Sequence, residues 1–221
     1  MKRPWGLSQE RPFLFFPMKT IFYIDGFNLY YGCCRRDGKK YRWLDITELC
    51  RRLIRDAEIV AVKYFTARII APVASAINQA AYLDALRTLP KVEIIEGRFL
   101  TTHTEMPLVS APSQTVNVIK HEEKGTDVNI ACHMVIDALH GKCERLALIS
   151  NDSDLVYPIR YVREETGLPV QVFNPQRRPS YHLKQAATKM QKIHTNTLIG
   201  SRLPDTVTDS DGAIITKPPH W

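Results

Sequence analysis

Thr20-Ile21-Phe22-Tyr23-Ile24-Asp25-Gly26-Phe27-Asn28 is the stretch from which the fold of this chain can be read. Its first five residues are β-branched or aromatic, and four of them are apolar without alternation. Such a run reads as a short strand buried on both faces, the kind found inside parallel sheets. The run stops at an acid followed by a glycine, so the strand ends where its polar residues begin. Four more strand candidates follow, at 59–65, 91–96, 144–150 and 169–173. Helical patterns fall between and after them, at 46–56, 73–88, 126–140, 154–166 and 179–190. In the second of these, Ala74, Ile77, Ala81 and Leu86 form an apolar stripe. Pro90 ends that helix and Gly167 ends the fourth. Alternating strands and helices predict a three-layer α/β/α sandwich with a mostly parallel central sheet.

Working outward, residues 98–124 carry no clear pattern and read as a long functional or mobile loop. Residues 1–18 hold Pro4, Pro12 and Pro17 and no sustained periodicity, so they read as an unstructured extension, with Met18 a plausible start. Residues 19–200 form the expected domain. Residues 201–221, rich in Pro, Asp and Ser, read as a poorly ordered tail.

The chain has 221 residues, enough for one domain with a sizeable core. No apolar run approaches the roughly 20 residues of a membrane span. Five cysteines without CxxC spacing argue against a disulfide framework or a structural zinc site, and point to reduced thiols in the cytoplasm. The net charge is +7, but its excess lies in the flanks, while residues 20–173 carry equal numbers of each sign. Within that neutral block Arg35, Arg36, Lys39, Lys40 and Arg42 cluster, as a solvated loop or as a phosphate-binding patch.

Three acidic segments carry the candidate chemistry. Ile24-Asp25-Gly26-Phe27-Asn28 closes the first strand, Lys124-Gly125-Thr126-Asp127 opens a helix, and Ser150-Asn151-Asp152-Ser153-Asp154 closes the 144–150 strand. Ligands of open α/β sheets bind beyond the carboxyl ends of the strands, so the two strand-end segments share one edge if their strands are neighbours. Clustered carboxylates repel one another unless a cation joins them, and oxygen ligands without cysteine suit Mg²⁺ or Mn²⁺. Taken singly, Asp127 reads equally as a helix-start acid, and Asp152 and Asp154 as helix caps. Asp25 follows an apolar strand with no evident helix to cap, and that tips the group toward a site.

At this point the motifs become specific. Tyr23-Ile24-Asp25-Gly26-Phe27-Asn28-Leu29-Tyr30, Glu123-Lys124-Gly125-Thr126-Asp127-Val128 and Ser150-Asn151-Asp152-Ser153-Asp154-Leu155 resemble, in order, the three motifs of NYN domains, relatives of the PIN-like ribonucleases. The resemblance covers roughly residues 19–190. It implies a PIN-like (Rossmann-like) fold and metal-dependent hydrolysis of RNA phosphodiester bonds. It assigns Asp25, Asp127, Asp152 and Asp154 to Mg²⁺ or Mn²⁺ and Asn28 to a supporting polar role. Where many relatives carry a further acid, this chain has His133, which reads as a helix-surface histidine. Asp137 lies about 15 Å along the helix from Asp127, too far to share its metal. Arg177, Arg178, Lys184 and Lys189 follow the last predicted strand and are the candidate phosphate contacts for RNA, expected to be single-stranded. Tyr30 and Tyr31 are candidates for base stacking. The rival expectation is a catalytically weak or inactive PIN-like module that binds RNA or protein. No membrane partner is expected, and self-association is left open.

Overall fold

The computed structural model describes residues 17–34, 41–70 and 72–221. Arg35, Arg36, Lys39 and Lys40, and residues 1–16 of the expected extension, lie outside them.

The anchor stretch forms β1 (Met18–Asp25), whose last six residues are buried. It runs into a one-turn helix α1 (Gly26–Leu29) and a π-helical turn through Cys34. Then come α2 (Ile46–Leu53), β2 (Ala57–Ala67), α3 (Val73–Arg87), β3 (Val92–Leu108), β4 (Ala111–Lys124) and α4 (Thr126–Leu139). The second half holds β5 (Arg145–Ile149), α5 (Val156–Thr166), β6 (Val170–Asn174), α6 (Tyr181–Ala186), β7 (Lys189–Lys192), α7 (Thr195–Ile199) and the short strands β8 (Thr206–Thr208) and β9 (Ile214–Thr216).

Among the described residues, seven strands form one sheet in the order β4-β3-β2-β1-β5-β6-β7. All neighbours are parallel except β3 and β4. Side chains of β1 alternate between the two faces, as a period of two requires. Phe22 and Ile24 enter one core with Leu49, Cys50, Leu83 and Leu86 from α2 and α3. Ile21 and Tyr23 enter the other with Ile130, Met134, Ile159 and Leu183 from α4, α5 and α6. Helices therefore cover both faces, giving the expected three layers. None of the described helices is long and apolar enough to cross a membrane. None of the five cysteines is in a disulfide, and only Cys132 is exposed.

The structure corrects three expectations. The patternless stretch 98–124 is not a loop but most of an antiparallel hairpin, paired from Arg98–Lys124 to Leu108–Ala111. β2 pairs with β3 only as far as Gly97, so the rest of the hairpin projects beyond the parallel sheet as a two-stranded arm. Both faces of this arm are largely wet, which removes the apolar alternation that marks a half-buried strand. The predicted helix 179–190 ends at Ala186 and gives way to β7, which adds an edge strand beside β6. The tail is also organised. β8 pairs with β9, the Trp43 indole N–H donates to the Pro204 carbonyl at 2.7 Å, and Trp221 packs on Trp43 and Tyr82. Polar composition hid this, because only a few apolar residues of the tail, including Val207, Ile215 and Trp221, touch the core.

Candidate active site at the switch point

β1 leads to β2 and β3 on one side, while β5, β6 and β7 continue on the other. The carboxyl ends of β1 and β5 thus flank the crevice where strand order reverses, the usual ligand position in open α/β sheets. Ile24 pairs with Ile149, which sets Asp25 beside Ser150.

Asp25 is 3 % exposed. Its Oδ1 accepts the Asn28 backbone N–H at 2.9 Å, and its Oδ2 accepts the Asn28 amide at 2.7 Å and the Ser150 hydroxyl at 3.0 Å. Asp25 therefore does cap a helix, the single turn α1 that the apolar pattern did not reveal. Burial raises its pKa, hydrogen bonds from Asn28 and Ser150 oppose the rise, and the Asp152 charge adds to it. Gly26 is required here by contact. A Cβ would lie 2.7 Å from the Phe65 carbonyl and 2.7 Å from the Tyr64 ring.

Asn28 ties three loops together. Its side-chain oxygen accepts the Asn151 backbone N–H at 3.3 Å and the Gln176 amide at 3.0 Å, while its amide holds Asp25. Asn151 in turn accepts Ser180 N–H at 2.7 Å and donates to the Arg178 carbonyl at 3.1 Å. Gln176 and Asn151 were missed as site residues. The only signal was their position just past the strands β6 and β5.

Asp152 accepts the Asp154 backbone N–H at 3.0 Å and opens the 3₁₀ turn Ser153–Leu155. Asp127 enters from a different element, the first turn of α4, which starts at Gly125 with φ of 94°. Glu123 accepts Thr126 N–H at 3.0 Å, and Asp127 is the acid in the first turn of α4. Asp127 is half-buried, and its pKa is pushed up to about 6, first by desolvation, then by the charges of Asp152, Asp25, Glu123 and Asp154. The four predicted acids thus share one electrostatic neighbourhood, with Asp154 on the exposed rim. Oxygen donors of this kind suit a hard dication. They do not form a ready-made coordination shell. Among the described residues no three His, Cys, Asp or Glu side chains are grouped to hold one ion.

The basic candidates separate. Arg177 and Arg178 are exposed in the loop after β6, on the same edge as the acids. Lys184 is exposed in the last turn of α6, a helix that begins at Ser180 beside Asn151. Lys189 does not follow the last strand but opens β7. There it pairs with Gln171, three positions and about 10 Å upstream of the carboxyl-edge pair Asn174–Lys192. Of the aromatic candidates, Tyr31 is exposed and Tyr30 meets it edge to face with centroids 5.2 Å apart.

His133 belongs to a separate network. Its Nδ1 lies 3.1 Å from Lys63 Nζ, and Lys63 forms a buried ion pair with Asp137, which also accepts the Tyr23 hydroxyl at 3.0 Å and Lys142 at 3.0 Å. Desolvation and then the Lys63 charge hold His133 below its ordinary pKa.

The NYN domain profile matches residues 19–194. The 6-hydroxy-3-succinoylpyridine 3-monooxygenase HspA of Pseudomonas putida is similar to the chain, 31% identical over 93% of this chain and 76% of that protein. In structure the chain resembles a protein of unknown function from Vibrio parahaemolyticus, with a TM-score of 0.56 and 20% identity over 85% of this chain and 98% of that one. That likeness speaks for the fold. With the profile spanning most of the chain and a relative of this identity, the chain belongs to the NYN domain family.

Proposed function

We propose that this protein is a Mg²⁺- or Mn²⁺-dependent endoribonuclease whose site is Asp25, Asp127, Asp152 and Asp154. The observation that carries the reading is the convergence of acids from three separate segments on the switch point, where burial and then the charges of Asp152, Asp25, Glu123 and Asp154 raise Asp127 to about 6. A bound dication would neutralise this cluster and supply Lewis acidity at the scissile phosphate. Asn28 orients Asp25, and Ser150 and Gln176 hold that arrangement in register. Arg177 and Arg178 are the phosphate contacts the reading favours, with Lys184 and Lys189 behind them. Contacts of that kind position an RNA strand without reading its sequence. Five cysteines outside any disulfide support a reducing, cytoplasmic setting.

The test is cleavage of single-stranded and structured RNAs with Mg²⁺, Mn²⁺ or EDTA, using the parent and Asp152→Asn. Metal-dependent cleavage that falls at least a hundredfold in the variant is expected. RNA binding without cleavage in any metal would make the protein a binding module instead.

A second reading has its own observation. The Pseudomonas relative is named a monooxygenase of a hydroxylated succinoylpyridine, and a cavity lined by aromatic rings adjoins the acids through Gly26 and Phe27. Oxygen uptake with 6-hydroxy-3-succinoylpyridine and a reduced nicotinamide or flavin would favour this reading over RNA cleavage.

A further inference from the structure

On the sheet face covered by α2 and α3 lies a cavity of about 640 Å³. Tyr30, Tyr64, Tyr82, Phe99 and Trp221 line it, and among the described residues no Asp or Glu does. Its rings are held by one another and by the fold. Tyr64 and Tyr82 meet at 86°, Tyr82 and Trp221 have centroids 5.8 Å apart, and the Tyr82 hydroxyl donates to the Leu44 carbonyl at 3.0 Å. A volume of this size suits a small organic molecule.

Among the described residues, Arg42 is the one Lys or Arg in the lining. Its guanidinium sits 5.3 Å from the Tyr30 ring centroid and 5.8 Å from that of Trp221. No acid among the described residues pairs with it. Its Nε is buried without a hydrogen-bond partner among those residues, and so is the Trp221 indole Nε1. Among the described residues one other buried side-chain donor lacks a partner, Arg145 Nη2, which lies away from the cavity, while the indole of Trp43 donates to Pro204. Native proteins rarely leave buried donors unpaired, and two such donors on one cavity point to an acceptor that the chain itself does not supply. Guanidinium prefers a carboxylate, which it can hold through two N–H groups.

We infer that this cavity binds a small planar aromatic carboxylate, its ring among the tyrosine and tryptophan walls and its carboxylate on Arg42, with the Trp221 N–H as a further donor. Among the described residues one Lys or Arg faces the cavity, which matches a monoanion, whereas an RNA strand calls for a succession of phosphate contacts. The inference stands independently of either catalytic reading.

Calorimetric titration of the full chain with 2-naphthoate, its neutral amide 2-naphthamide, and AMP tests it. The acid binds at least tenfold tighter than the amide, and tighter than AMP. Arg42→Met brings the acid to the level of the amide and leaves the amide unchanged. Asp152→Asn keeps naphthoate binding, which separates this site from RNA cleavage. Equal affinity for acid and amide, saturable binding of neither, or preference for AMP would overturn the inference. The comparison in the parent protein decides this even where Arg42→Met fails to fold.

Discussion

Asp127→Asn should stabilise this protein in metal-free buffer, by an amount that depends on pH. The parent carboxyl titrates near 6 in the folded chain against 3.8 unfolded, because burial and neighbouring carboxylates disfavour its charge. At about 1.4 kcal/mol per unit, a shift of roughly two units corresponds to ~3 kcal/mol of strain above pH 6. Asp127 is only half-buried, so solvent screening reduces this to about 2 kcal/mol. The α4 dipole favours the native charge by about 0.3–1 kcal/mol, which leaves a net gain of about 1–2 kcal/mol for the amide. The folded pKa is raised, so the parent is fully stable below the unfolded value and loses stability as pH rises toward and through 6. The advantage of Asp127→Asn should therefore be absent at pH 3.5, grow between 4 and 6, and level off by pH 7. Urea unfolding in EDTA at these pH values measures it. Added Mn²⁺ should reverse the order by stabilising the parent more. A variant less stable than the parent at pH 7.5, with an offset that does not change toward pH 4, would show that Asp127 is a helix-start residue free of electrostatic strain.

Four further outcomes follow from contacts already described. Gly26→Ala should lower the denaturant midpoint by the equivalent of about 1–3 kcal/mol, because the new methyl meets the Phe65 carbonyl and the Tyr64 ring. Asn28→Ala should cost about 1–3 kcal/mol in chemical denaturation and abolish any cleavage, since Asp25 loses its amide partner. Lys63→Met should destabilise by about 3 kcal/mol, as Asp137 keeps only Lys142 as counterion, and Lys63→Met with Asp137→Leu should recover most of the loss in thermal melts. Truncation after Leu203 should lower Tm by several degrees, because Trp43 and Tyr82 lose Trp221 and Trp43 loses its acceptor.

The parallel half of the sheet was legible because its strands are buried on both faces, so β1, β2, β5 and β6 read as apolar runs bounded by polar residues. The hairpin β3–β4 carried the opposite signal. Thr101, Thr102, Thr104, Val116, Val118 and Ile119 have strand-forming side chains, but they lie along a ribbon without a buried face and so show no period. β7 was hidden by Lys189 and Lys192, two charged residues in four, at the sheet's edge. Asp25, Asp127 and Asp152 were singled out as site candidates because they stand where strands end or a helix begins. The bracing was not. Gln176 reaches Asn28 across 148 residues of sequence, and Glu123, which accepts the Thr126 N–H, belongs to a strand that the sequence did not reveal.

The bracing by Asn28 divides the acid site into unequal parts. Asp25 and Asp152 belong to a cross-linked frame, in which the loops after β1, β5 and β6 are fastened to one another through a single amide. Asp127 stands outside that frame. It follows the base of the projecting ribbon, where Arg98 pairs with Lys124, and a glycine with nothing within 4 Å of where its Cβ would be. The gap between the two parts therefore depends on how α4 is seated, with Ile130 and Met134 buried in the core and Thr126 against Gly97 at the ribbon's base. The two parts are thus moored differently, Asp25 and Asp152 by hydrogen bonds between loops and Asp127 by a helix set into the opposite core from Phe22 and Ile24.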